Sequence, residues 1–122
     1  AARNTATKSV NPHWAVKRLP VGFQMMDFQR KRMRREGGSA EHMVFSDGLA
    51  TLSVYIEKAK SEAQAFLGLS TMGAMNAFGA VVDGYQVTVV GEVPPATVQM
   101  VAASMQQVEA DKGLKNPAGL WR

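Results

Sequence analysis

The chain carries two histidines, one run of arginine and lysine, and no cysteine, which sets narrow limits on the chemistry it could perform. His13 and His42 are the candidates for a general base or a metal ligand. His42 follows Glu41 in a run that continues Met43-Val44-Phe45. Strand alternation gives it the parity of Val44, away from Met43 and Phe45, which predicts a solvated or weakly hydrogen-bonded histidine. A serine triad would have to recruit one of these two rings, and no G-x-S-x-G elbow is present to supply the nucleophile. Two histidines without clustered Asp or Glu make a poor metal site. The lack of cysteine removes thiol nucleophiles, disulfides and cysteine-based zinc or iron–sulfur centres. Gly37-Gly38 and Gly68/Gly73 lack the strand-to-helix context and the lysine of a phosphate loop. The sequence therefore predicts a protein without catalytic residues, cofactor or metal.

The concentrated charge is Arg30-Lys31-Arg32 with Arg34 and Arg35. On a strand alternate members face opposite sides, so about half of them would form one patch with the turn arginines beside it. Three readings stand. The run is a charged edge that discourages sheet-to-sheet aggregation, an anion site for an acidic peptide or lipid phosphate, or a nucleic-acid contact. The last is disfavoured, because apart from Phe28 no aromatic is interleaved with the run and no binding motif is recognisable. A net charge of +4 permits any of these partners without choosing among them.

The elements that position these residues are written in turn chemistry. Two runs of β-favouring residues meet at Asp83-Gly84, a pair that readily takes the two φ > 0 positions of a type I′ turn. This predicts Val82 opposite Tyr85, Ala80 opposite Val87 and Phe78 opposite Val89, with Phe78, Ala80, Val82, Val87 and Val89 on one face. Asp47-Gly48 predicts a second hairpin by the same reasoning. Pairing Ser46 with Leu49 would set Phe45 against Ala50 and Met43 against Leu52, and gathers Met43, Phe45, Ala50, Leu52, Val54 and Ile56 on one face. After Val93-Pro94 a strand must stop, and Pro95 suits a first helical turn. From there Val98, Val101, Ala102, Met105 and Val108 follow helical spacing and predict an apolar stripe that needs the hairpin face as cover.

The rest of the chain is read more coarsely. Trp14 anchors a short extended segment ended by Pro20. Residues 23–33 read as a strand whose two faces are both mixed, which either a bulge near Met25-Met26 or a basic outer end projecting past the core would reconcile. Ala59–Leu67 contains helix formers for a turn or two, and 68–75 reads as glycine-punctuated loop. Residues 1–11 are expected to be a disordered N-terminal segment and 111–122 a C-terminal tail, around a domain at 12–110. The first residues hold an arginine but no apolar segment of a signal peptide, so the expectation is a cytoplasmic chain or a fragment with its targeting signal upstream. At 46% hydrophobic residues the composition is that of a globular domain.

Several blocks in this order resemble a known family. They are Leu19-Pro20-x-Gly22-Phe23; Phe45-Ser46-Asp47-Gly48-Leu49-Ala50 with Ser53-Val54-Tyr55-Ile56-Glu57; Met72-Gly73-Ala74-Met75-Asn76-Ala77; and the long block from Val82 to Val98. Together they are similar to the C-terminal domain of the MucB/RseB family over roughly residues 12 to 110. The resemblance implies a periplasmic negative regulator of the envelope-stress sigma factor, sigma-E or AlgU. Such a protein binds the periplasmic part of a membrane-spanning anti-sigma factor, RseA or MucA, and shields it from proteolysis. Lipopolysaccharide or a related lipid is implied as the displacing signal, and a large N-terminal domain resembling LolA and LolB as a further partner within the same protein. Self-association is left open.

The fold expected is α+β: about six antiparallel strands near 14–19, 23–33, 41–46, 49–58, 75–82 and 85–92, with one helix at about 95–108 packed on a face. The function expected is that of a non-enzymatic domain binding an anti-sigma factor. Its alternative is a basic module that binds nucleic acid or anionic lipid through Arg30, Lys31, Arg32, Arg34 and Arg35.

Overall fold

Asp83 and Gly84 both lie in the left-handed region, at φ 51° and 83°, and the chain reverses between them as the type I′ turn requires. In the computed structural model, which describes residues 7–10, 13–32, 39–61 and 64–108, this turn joins β7 (Met75–Val82) to β8 (Tyr85–Gly91). Val82 faces Tyr85, Ala80 faces Val87 and Phe78 faces Val89, the predicted register. Around this hairpin a six-stranded antiparallel sheet is built. β3 (Gln24–Arg32), β4 (Ser39–Ser46) and β5 (Thr51–Lys58) lie on the β8 side and β6 (Gly68–Met72) on the β7 side, in the order β3-β4-β5-β8-β7-β6.

A smaller sheet is formed by β1 (Thr7–Val10), β2 (Trp14–Leu19) and β9 (Met105–Gln107), with β2 in the middle. One helix, α1 (Pro95–Ala103), sits between β8 and β9 in the chain. Helix and small sheet share the task of covering one face of the large sheet. Val98, Val101 and Ala102 of α1 and Trp14, Val16, Leu19 and Met105 of the small sheet are buried together with Met43, Phe45, Leu52, Val54, Ile56, Val87 and Val89. Burial is worth about 1.5–3 kcal/mol for each large side chain, which makes this seam the main source of stability. The architecture is α+β, as the sequence predicts.

Five elements depart from the expectation. The strand at Trp14–Leu19 belongs to the small sheet, and β6 takes the sixth place in the large one. Thr7–Val10, expected to be disordered, pairs with β2. The helix ends at Ala103 instead of running to about 108. Ser104 accepts a hydrogen bond from Arg18 N at 3.0 Å through its hydroxyl and another from Lys17 N through its carbonyl, so β2 draws the chain out of the helix and into β9. Met105 keeps its buried place but reaches it from a strand. Finally, the described part of 59–67 contains no α-helix. Phe66 N donates to Gln86 Oε1 and Gln86 Nε2 donates back to Phe66 O, which lays this segment across the sheet.

The second hairpin has the predicted faces and a different register. Ser46 pairs with Thr51, Phe45 with Leu52 and Met43 with Val54, so the loop holds Asp47 to Ala50. Asp47 Oδ1 accepts from both Leu49 N and Ala50 N at 2.9 Å, while the Ser46 hydroxyl bonds Gly48 N and Ala50 O. Side-chain hydrogen bonds of this kind compete with a two-residue turn and lengthen it. Slipping by two keeps every side chain on its own face, so the core is unchanged. The bulge predicted near Met25-Met26 is present between Met25 and Asp27, and it leaves Met26 exposed.

Candidate docking surface

The basic run divides as β3 alternates. Arg30 stands opposite Glu41 on the side of the core, and Lys31 stands opposite Ala40 on the outer side. Arg32 closes β3, whereas Arg34 and Arg35 lie outside the described residues. The Arg30 guanidinium is already engaged: its Nη1 is 3.1 Å from His13 Nε2 and its Nε is 3.8 Å from Glu41 Oε2. His13 Nδ1 lies 3.0 Å from the same carboxylate oxygen. The Glu41 side chain is only 8% exposed, so its charge is held in a low-dielectric seam by groups from β3 and from the approach to β2. Lys31 lines a shallow outer depression of about 480 Å³ with Gln29, His42, Tyr55 and Glu57.

The two histidines are on opposite sides of the large sheet and share no centre. His13 is in the seam between the sheets. His42 lies on the outer face, as its parity predicts, with its ring stacked on Tyr55 at a centroid distance of 4.3 Å and an interplanar angle of 10°. Among the described residues no three of His, Asp and Glu come together in a way that could hold a metal ion. Among the described residues the carboxyl of Asp47 is held below the usual range by the backbone N–H groups of Ala50 and Leu49. That is turn chemistry at an exposed tip and positions no reacting group.

The two edges of the large sheet differ sharply. β3 carries Asp27, Arg30, Lys31 and Arg32 and a bulge, the devices by which proteins block strand addition. β6 has none of them: Gly68-Leu69-Ser70-Thr71-Met72 contains no charge and no proline, and Leu69 and Met72 are 49% and 80% exposed. It is held from within, since Thr71 Oγ1 donates to Asn76 Oδ1 at 2.6 Å and Asn76 Nδ2 donates to Val93 O at 2.8 Å. One apolar row crosses all six strands, from Phe28 through Met43, Val54, Val89 and Phe78 to Leu69. It runs from the core out to solvent at β6. On the outer face, Met75 of β7 lines a second depression of about 390 Å³ with Leu49, Ser53, Tyr55 and Val90.

The sequence alone points to the basic run as the candidate site and reads 68–75 as loop, whereas Gly68–Met72 is a strand. The signal for β6 was present in Leu69 and Thr71 at strand spacing, just before a run, Met75–Val82, that needs a partner on each side. Two flanking glycines obscured it.

A family model described as the MucB/RseB C-terminal domain matches residues 8–106. The sigma-E factor regulatory protein RseB of Salmonella typhimurium (strain 14028s / SGSC 2262) is 28% identical over 95 residues, covering 77% of this chain and 29% of that protein. Among solved structures, MucB in complex with MucA(peri) matches with a TM-score of 0.63 at 31% identity, covering 80% of this chain and 38% of that one. The Pseudomonas aeruginosa MucA/MucB complex matches with the same TM-score and identity, covering 80% and 36%. This chain thus spans about a third of the length of the relatives it matches.

Proposed function

Because the chain belongs to the MucB/RseB family through its C-terminal domain, we propose that it is a non-enzymatic binding domain of a periplasmic regulator of a sigma-E or AlgU type factor. Its partner is the periplasmic region of an anti-sigma factor of the RseA/MucA kind. The observation that carries this reading is the 31% identity, over 80% of the chain, to a MucB that was solved bound to MucA(peri). Protection of the anti-sigma factor from proteolysis and its release by lipopolysaccharide belong, in this proposal, to the full-length protein with its LolA/LolB-like part.

The edge at β6 supplies the mode of contact. An extended segment of the partner adds to β6 as a further antiparallel strand, its backbone meeting the unpaired N–H and C=O groups and an apolar side chain continuing the row that ends at Leu69. Main-chain bonding gives the affinity and the Leu69 position gives the choice of side chain. The guarded β3 edge leaves β6 as the edge suited to this.

A titration of the chain with a synthetic peptide of the anti-sigma periplasmic region, followed residue by residue by NMR, tests the proposal. Amide shifts concentrated on Gly68–Met72 are the expected result. No shift at high peptide excess rejects the function for this domain, and shifts confined to β3 reject the site. The alternative, an anion site at Arg30, Lys31, Arg32, Arg34 and Arg35, predicts binding that falls steeply between low and moderate salt, whereas an apolar strand contact persists.

A further inference from the structure

A pair of methionines leads from the open β6 edge onto the outer face of the large sheet. Met72 and Met75 stand directly opposite each other across β6 and β7, with the parity of Ser70 and Ala77, so both side chains belong to that face. Next to them Ala77 is opposite Val90 and Val90 opposite Ser53, and Met75, Val90 and Ser53 line the depression of about 390 Å³ together with Leu49 and Tyr55. Leu49 and Met72 are 95% and 80% exposed. An apolar path open to water from an edge to a groove is the kind of surface that marks a protein contact, and methionine adapts to the side chain it receives. Charge is unevenly spread around this path. Glu92 lines the groove and, among the described residues, forms no ion pair. Asp47 lies in the same turn as Leu49. Lys31, Arg32 and Lys58 are at the opposite ends of their strands, beside Ala40, Ser39 and Tyr85.

We infer that this groove takes an apolar side chain flanked by a lysine or arginine, from the stretch of the partner that runs into the strand added at β6. The inference rests on the β6 docking proposed above and extends it. β6 runs from Gly68 toward Met72, so an antiparallel strand begins opposite Met72 and the residues before it arrive at the methionine pair. From the added strand to β8 is three strand spacings, about 14 Å. About four extended residues span that distance. The apolar side chain then settles against Met75 and Val90, and the neighbouring cation meets the Glu92 carboxylate, a complementary charge that fixes register more than it adds affinity. The groove therefore selects direction as well as sequence. A strand added parallel to β6 would bring its following residues to the groove, not its preceding ones.

The test uses the shortest anti-sigma peptide that shifts the amides of Gly68–Met72. It is compared with versions carrying Leu-Lys or Leu-Glu ahead of a Gly-Ser-Gly-Ser spacer at the N-terminus, and with Leu-Lys after the same spacer at the C-terminus. NMR of the amides and methionine methyls is combined with calorimetry. The N-terminal Leu-Lys extension is expected to move the Met72 and Met75 methyls and the amides of Ser53 and Val90, and to tighten binding about tenfold, the scale of one buried leucine. N-terminal Leu-Glu should gain less than about threefold, since its charge opposes Glu92, and the C-terminal extension should gain nothing. Glu92→Lys, at an exposed position, should reverse the preference between Leu-Lys and Leu-Glu. If no anti-sigma peptide shifts Gly68–Met72, the edge reading falls and this inference falls with it. Shifts at Gly68–Met72 with Met75, Ser53 and Val90 unmoved overturn the groove alone, as does equal affinity for the two N-terminal extensions or an unchanged preference in Glu92→Lys.

Discussion

Phe66 occupies the space that a side chain at position 79 would need. A Cβ built on Gly79 would overlap both the Phe66 ring and the Phe66 carbonyl oxygen, and that backbone is pinned in place by the paired hydrogen bonds with Gln86. Glycine at 79 is therefore a packing requirement of the segment that crosses the sheet. Gly79→Ala is expected to cost about 1–3 kcal/mol, the usual range for overpacking, and to release the Gln86 side-chain amide signals from their bonded positions. Adding Phe66→Ala should restore only part of the loss, because the carbonyl still collides. Denaturant melts of the two variants check this, and full rescue by the double variant would show that the ring alone is at fault.

Ser104 joins the helix to the small sheet. Its hydroxyl donates to Val101 O at 2.9 Å and accepts from Arg18 N, and the residue is buried. Ser104→Ala leaves Arg18 N and one carbonyl without this partner, which should cost about 1–3 kcal/mol. Ser104→Thr keeps the hydroxyl and should lose less. Thermal unfolding with hydrogen exchange at Arg18 separates the two: fast exchange at Arg18 in Ser104→Ala and slow exchange in Ser104→Thr is the expected pattern.

These contacts also explain which parts of the fold could be read from the sequence. Asp83-Gly84 was legible because its register needs only two residues of the right type. The faces of β4 and β5 were legible although their register was not, since a slip of two residues preserves parity and Met43, Phe45, Leu52 and Val54 stay buried either way. The helix end was hidden, because Met105 falls on the helical stripe and what draws it into β9 is a bond to Arg18, 86 residues away. β6 was hidden for a different reason: Gly68 and Gly73 read as loop punctuation, although the pairing with β7 makes the segment a strand. The basic run was visible as charge, but the commitment of Arg30 to His13 and Glu41 needed the fold to bring three distant residues together.

Asp47 gives a pH dependence whose sign follows from its depressed carboxyl. The backbone N–H groups of Ala50 and Leu49 bind the charged form, so its proton is lost at lower pH in the folded chain than in the unfolded one. The stability this contributes is complete above the unfolded value, about pH 3.9, and disappears as pH falls through the folded value. Asp47→Asn should lack that component: its stability should decline less than that of the unaltered chain as the pH falls below the ordinary carboxylate range. Urea melts over that fall in pH check it, and parallel curves for the two chains would contradict the assignment.

The proposed mode of partner binding makes the sharpest demand on Leu69. Its side chain ends the row that begins at Phe28, half of it is open to solvent, and no charged residue of β6 stands beside it. Leu69→Lys places a charge on that edge, the device that β3 uses. The fold should tolerate it, with a melting temperature within a few degrees of the unaltered chain, because the exposed half of the residue accommodates the amine. Binding of the anti-sigma peptide should weaken at least about tenfold, since removing one buried leucine and charging an apolar contact costs more than about 1.4 kcal/mol. Replacing Lys31 by Ser should leave the same affinity nearly unchanged at moderate salt. Calorimetry on the two variants decides between the edges: loss in Leu69→Lys alone supports strand addition at β6, and loss in Lys31→Ser alone moves the partner to the basic side of the sheet.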